Sequence, residues 1–166
     1  LIQQSIQQLR LASEHIEIIR KEMNELASTL PEYETVMSMD GVGETYGPQL
    51  IAEIGDVSRF THWEAITAFA GVDPGVNESG QFKQRSNRAS KNGSTRLRKT
   101  LFQVMSTYLQ NKPVNEPVYQ FLDRKRAEGK PYLVYMTAGA NKFLRIYYGK
   151  VKECLRNLEQ SQIEES

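Results

Sequence analysis

Apolar residues, interrupted once by Ser5, recur along the first thirty positions in alternating steps of three and four: Ile2, Ser5, Leu9, Ala12, Ile16, Ile19, Met23, Leu26 and Leu30. That spacing predicts a helix over about 2–30 with one narrow apolar seam, the pattern of a coiled coil, ended by Pro31. At 1.5 Å per residue such a helix is about 40 Å long, too long for a small neighbouring fold to cover, so it is expected to pair with another helix or a second copy. A pair of short helices then flanks a tight turn. The first covers about 32–38, the turn is Met39-Asp40-Gly41-Val42-Gly43, and the second covers about 45–54 with Leu50, Ile51 and Ile54 inward. Gly55-Asp56 stops it. Thr61-x-x-Glu64 reads as a capping box for a helix running through Trp63, Ile66 and Phe69 to Gly71.

The periodicity lapses over 72–93, where Pro74 stands among glycines, asparagines and serines and apolar groups are few. This window is expected to be a long loop with room for a short hairpin, and a loop of that length within a fold points to function or disorder. Ser94 then caps a helix over about 95–111, with Leu97, Leu101, Val104 and Tyr108 inward and Arg96 and Lys99 outward. A helix over about 114–128 accepts Pro117 in its first turn and stops at Gly129. A last one, about 132–158, turns Val134, Ala138, Phe143, Ile146, Val151 and Leu155 inward. No internal repeat and no run of strands is visible. The expected class is mainly α: a coiled-coil or linker helix at 1–30, a helical domain at 31–158 and a polar tail at 159–166.

Charge changes this picture more than composition does. The net charge is only +1, but residues 1–78 carry −9, residues 79–115 carry +8 and residues 116–166 carry +2. The middle window holds Lys83, Arg85, Arg88, Lys91, Arg96, Arg98, Lys99 and Lys112 without one acid. A purely cationic window in a balanced chain marks where a polyanion would sit. The series from Arg88 to Lys99 runs from loop into helix start, a phosphate-clamping arrangement. Four phosphate pairs would give a log–log salt slope of about −4.

Other classes recede. Cys154 is the single cysteine, and His15 and His62 are the only histidines, about 47 positions apart. A metal site of the chain's own is therefore not expected. No apolar run approaches the roughly 20 residues that cross a bilayer, and no signal peptide is visible, so no membrane partner and a reducing cytoplasm are expected. Because the chain begins at Leu1, it is read as a fragment of a longer protein. Tyr147 and Tyr148 read as packing residues.

Two constellations carry chemistry. Gly41-Val42-Gly43 between short helices reads as a helix-hairpin-helix element, whose glycine backbone and helix N-terminus can approach phosphates and grip a strand without reading its bases. Asp40 and Glu44 beside it oppose phosphate. Ser79-Gly80 opens the cationic window. A serine hydroxyl on a glycine-flanked loop can reach a phosphorus in line, and Lys83, Arg85 and Arg88 can stabilise the charge that develops there. By themselves, residues of this kind more often make turn hydrogen bonds.

The ordered series Asp40-Gly41-Val42-Gly43, Ile51-Ala52-Glu53-Ile54-Gly55-Asp56-Val57-Ser58-Arg59-Phe60, Phe69-Ala70-Gly71-Val72-Asp73-Pro74, Ser79-Gly80, Ser90-Lys91-Asn92-Gly93 and Leu97-Arg98-Lys99 resembles one family. It is the insertion-sequence transposases with an N-terminal RNase H-like domain and a C-terminal serine-bearing domain. The resemblance covers about 35–155 and places this chain as the C-terminal part. It implies recombination of DNA through a covalent phosphoserine link at Ser79. It also implies multimers, a guide RNA as partner, and Mg bound by DEDD residues of an N-terminal domain outside this chain, so that the fragment alone is expected to be inactive. This chain carries Glu78 before the serine and Gly93-Ser94 before the helix, where the family has a second small residue and Gly-Asn. Two other readings stay open. A non-catalytic helix-hairpin-helix DNA-binding module would need Gly43 and the cations but not Ser79. A coiled-coil assembly element would bind DNA weakly and without salt dependence.

Overall fold

The computed structural model describes residues 1–73 and 93–164. Over these the chain forms α1 (Ile2–Ala27), α2 (Tyr33–Met37), α3 (Gly43–Ile54), a single 3-10 turn (Val57–Arg59), α4 (Trp63–Ala70), α5 (Thr95–Asn111), α6 (Pro117–Ala127) and α7 (Tyr132–Glu164). No strand occurs among the described residues. The mainly α expectation is met, with a long N-terminal helix.

The core collects around the first two-thirds of α7, which packs against α2, α4, α5, α6 and the 3-10 turn. Met136, Ala140, Phe143, Leu144, Tyr147 and Val151 recur at helical spacing along it and are fully or almost fully buried. They meet Ile66 of α4, Leu97, Leu101, Val104 and Met105 of α5, and Leu122 of α6. Tyr108 stands edge-on to Phe143 at 6.5 Å. Tyr147 and Tyr148 are buried, as their packing role requires, and the Tyr148 hydroxyl donates to the Phe60 carbonyl at 3.1 Å.

α3 and α5 lie antiparallel. Glu53 faces Ser94, Gln49 faces Thr100, and Gly41, just before α3, sits against the Tyr108 ring. This order places the α2–α3 turn over the far half of α5 and the end of α3 over its start.

Several boundaries differ from the sequence expectations. α1 ends at Ala27 rather than at Pro31, because Ser28 and Thr29 turn their hydroxyls back onto the Glu25 and Leu26 carbonyls, both at 2.7 Å. The Thr61/Glu64 capping box does not form. His62 is the cap instead, its Nδ1 accepting from the Ala65 N–H at 3.2 Å. α6 begins only at Pro117, with Glu116 as its cap, since proline's missing N–H and fixed φ suit the first helical position. α7 continues through 159–164, read as tail, because no glycine or proline interrupts it there. Val134, expected inward, is 50% exposed, since the first turn of α7 stands clear of the core. The apolar seam of α1 is open to solvent: Leu9, Ile16, Ile19 and Leu26 are 50–73% exposed, and only Ala27 is buried, where the end of the helix meets α3. No described helix is long and apolar enough to cross a membrane.

Candidate nucleic-acid interface

Gly71 closes α4 in the left-handed conformation, φ 66°, and the Val72 N–H returns to the Thr67 carbonyl at 3.1 Å. Val72 is buried, and the described chain stops at Asp73. It resumes at Gly93 against the same helix end, with the Ser94 N–H donating to the Phe69 carbonyl at 2.6 Å. A Cβ on Gly93 would sit 2.5 Å from the Gly71 nitrogen, so only glycine allows the two backbones this close. Ser94 caps α5 as expected, its hydroxyl accepting from the Leu97 N–H at 3.1 Å and donating to Glu53 at 3.5 Å. Arg98 Nη1 donates to the Ala70 carbonyl at 3.3 Å, satisfying a helix-end acceptor.

The α4–α5 junction therefore gathers the end of α4, the start of α5 and the end of α3 at one point. Around it stand cations. Arg96 and Lys99 are exposed in the first turns of α5, and Arg98 is half-buried. The first turn of α5 holds no acid. Cations at a helix N-terminus oppose its dipole, an arrangement that costs stability and that a bound anion reverses. A further cation joins them: the Arg59 guanidinium rests on both Phe60 and Phe69, 4.5 and 4.6 Å from the ring centroids. Glu53 and Arg59 stand in one of the ordered motifs, but nothing in their spacing shows that the chain from 53 to 60 folds back beside Phe69 and Ser94.

Ser79, Lys83, Arg85, Arg88 and Lys91 lie outside the described residues. What is described is the attachment of their segment, which leaves and returns at the one junction where Arg96, Arg98 and Lys99 stand.

The α2–α3 turn has both glycines in the left-handed region, Gly41 at φ 75° and Gly43 at φ 55°, with Met39 and Val42 buried as its anchors. The two glycines differ in what requires them. A Cβ on Gly41 would press the Tyr108 ring at 3.1 Å, whereas one on Gly43 would meet nothing within 4 Å. Gly43 is thus an open backbone surface at the start of α3, and Asp40 and Glu44 beside it are exposed. The structure does not bring this turn together with Arg96, Arg98 and Lys99. They sit toward opposite ends of α3, and the ten residues from Gly43 to Glu53 rise about 15 Å. In a duplex that is about four base pairs at 3.4 Å each, within the reach of one bound DNA.

Hydrogen bonds from the Ser58 hydroxyl and N–H lower the Asp56 carboxyl beside Arg59, and two further perturbed groups lie at the turn end. Burial pushes the Tyr108 hydroxyl above its ordinary value, helped by the negative charges of Glu116 and Asp40, and burial likewise raises the Glu116 carboxyl. No group of three His, Cys, Asp or Glu side chains among the described residues is placed to hold a metal, so these residues do not fit a magnesium site.

Two comparisons bear on this geometry. Residues 33–120, just over half of the chain, match the transposases of the IS116/IS110/IS902 family. That stretch holds the α2–α3 turn, the α4–α5 junction and the whole cationic window. No curated protein matches the chain.

Proposed function

We propose a serine-based role in DNA strand exchange for this chain, which belongs to the IS116/IS110/IS902 transposase family. In this reading it is the C-terminal, DNA-handling part of the enzyme. The Ser79 hydroxyl attacks a phosphodiester phosphorus, an Oγ–P bond forms, and the sugar oxygen leaves with a proton as a free hydroxyl. A hydroxyl of the other strand then attacks the phosphoserine, which returns the serine and joins the new strand. Both steps are transesterifications, so the number of phosphodiester bonds is conserved. Lys83, Arg85, Arg88 and Lys91 surround the reacting phosphate, and Arg96 and Lys99 hold its neighbours. Arg98 fixes the junction through Ala70. Arg59 adds charge, and Gly41 and Gly43 grip backbone further along the duplex. α1 joins copies through its open seam. Magnesium would be held by an RNase H-like partner domain, the guide RNA is a partner by the family resemblance, and no step here runs through either.

The observation that carries this reading is the α4–α5 junction. The described chain leaves and returns there, at a helix start whose first turn carries exposed cations and no acid, with Glu53 of α3 on the Ser94 cap. The test is Ser79→Ala in the full-length enzyme. DNA binding should persist while strand exchange and the covalent protein–DNA adduct disappear. Exchange that survives the substitution would remove Ser79 from the mechanism. A second reading, a non-catalytic helix-hairpin-helix module, is favoured by the open backbone at Gly43. It predicts that a side chain at Gly43 abolishes DNA binding while Ser79→Ala changes nothing.

A further inference from the structure

Away from the α4–α5 junction, the start of α4, α6 and the middle of α7 enclose an open pocket of approximately 500 Å³ between the Trp63 and Phe121 rings. Pockets of a few hundred Å³ accept ligands of nucleotide size. The floor is apolar, made by Ala138 and Ile146, and the rim carries Asn141, Lys142 and Arg145. Cations stand over both rings. Arg145 Cζ is 5.0 Å from the Trp63 centroid and Lys142 Nζ 5.1 Å from that of Phe121. Arg124 reaches the same Phe121 ring at 5.3 Å. Lys125 does so at 5.8 Å while also pairing with Glu128 at 2.8 Å.

No carboxylate lines the pocket. Among the described residues neither Lys142 nor Arg145 forms an ion pair. Two half-buried rings, two cations outside any close ion pair (Lys142 within reach of the Glu116 charge) and one amide make a set with a specific chemistry. The rings offer flat apolar faces, the cations seek phosphate, and the amide can both donate and accept at a base edge. An apolar ligand would leave the cations without partners, and a phosphate alone would leave the rings unused.

We infer that this pocket takes one unpaired nucleotide of a DNA or RNA strand, its base stacked between Trp63 and Phe121 and its phosphates on Lys142 and Arg145. The inference rests on the nucleic-acid reading above. Trp63 opens α4 and Ala70 ends it, so the pocket and the α4–α5 junction stand at the two ends of a helix about 12 Å long. A strand held at the junction can therefore present its next unpaired base here.

Trp63 is the only tryptophan of the chain, so its fluorescence reports directly on stacking in this pocket. The whole chain is titrated with a single-stranded oligodeoxynucleotide, the matching oligoribonucleotide, the duplex, and an abasic strand of equal length. Unpaired strands should quench Trp63, whereas the duplex and the abasic strand should not. The tighter of the two single strands identifies the natural source. Phe121→Leu should weaken the quenching interaction about 5- to 100-fold, and Lys142→Gln, half-buried on the rim, should weaken it severalfold while leaving helix content by circular dichroism unchanged. Equal quenching by the abasic strand, or unaltered affinity in a folded Lys142→Gln protein, overturns the pocket. Strands that shift in a gel without moving Trp63 fluorescence also overturn it while the strand-exchange reading stands. A chain that binds no polynucleotide at all ends both.

Discussion

Gly93→Ala is the smallest substitution that tests whether the α4–α5 junction is structurally committed. The added Cβ would overlap the Phe69 carbonyl oxygen and lie 2.5 Å from the Gly71 nitrogen and 2.6 Å from the Phe69 carbonyl carbon. All three are backbone atoms, so no rotamer change relieves the clash, and the start of α5 must move off the end of α4. That motion breaks the Ser94 N–H bond to Phe69, worth about 1 kcal/mol, and leaves an amide at a half-buried position unpartnered, for about 1 kcal/mol more. Disturbing the Ser94 cap on Leu97 adds about 1 kcal/mol. The expected loss is about 3 kcal/mol, which for a chain of this size lowers Tm by roughly 6–12 °C. Gly149→Ala is the control. Gly149 lies within α7, exposed, and its Cβ would meet nothing within 4 Å. There alanine should stabilise by about 0.5–1 kcal/mol through helix propensity alone. Thermal unfolding followed by far-UV circular dichroism compares the two. If Gly93→Ala melts with the wild type, the close approach that anchors the Ser79 segment is not a feature of the folded protein.

Two further outcomes follow from the same structure. Arg96→Gln and Lys99→Gln should each flatten the salt dependence of DNA binding by about 1 from a log–log slope of about −4, and lower affinity alike for unrelated sequences. Titrations across salt concentration check this, and an unchanged slope would take these side chains off the phosphates. Glu116→Gln should stabilise the protein near neutral pH by a few tenths of a kcal/mol. Burial raises the Glu116 carboxyl above its ordinary value of 4.5, so its contribution is fully present below that value and is lost as pH rises through the raised one. Glutamine keeps an oxygen for the Tyr119 N–H that Glu116 caps at 2.7 Å. Urea unfolding should therefore show the variant ahead at neutral pH and level with the wild type in acid. A variant that is weaker at neutral pH would show that the ionised carboxylate is a net stabiliser.

The periodicity of apolar residues by itself determined the helical class, the existence of each described α-helix and most inward faces, because burying a stripe at 3.6-residue spacing admits few other solutions. Leu97, Leu101, Val104 and Tyr108 are all buried as their spacing requires. Ser94 as cap and Gly55 and Gly71 as stops were equally legible, since capping is local chemistry. The cationic window and the ordered motifs pointed to the family. A local signal misled at the start of α4, where the Thr61/Glu64 capping box gives way to His62, a residue outside the usual cap set whose Nδ1 takes the Ala65 N–H. What only the tertiary structure decided is which distant residues share a place. Glu53, Phe69, Gly93 and Arg98 meet at one junction, and Trp63 and Phe121 line one pocket. The glycine turn is held at the far end of α3 from the cations instead of among them. Such meetings depend on how α3, α4 and α5 cross over the core, a non-local packing choice that leaves no period in the sequence.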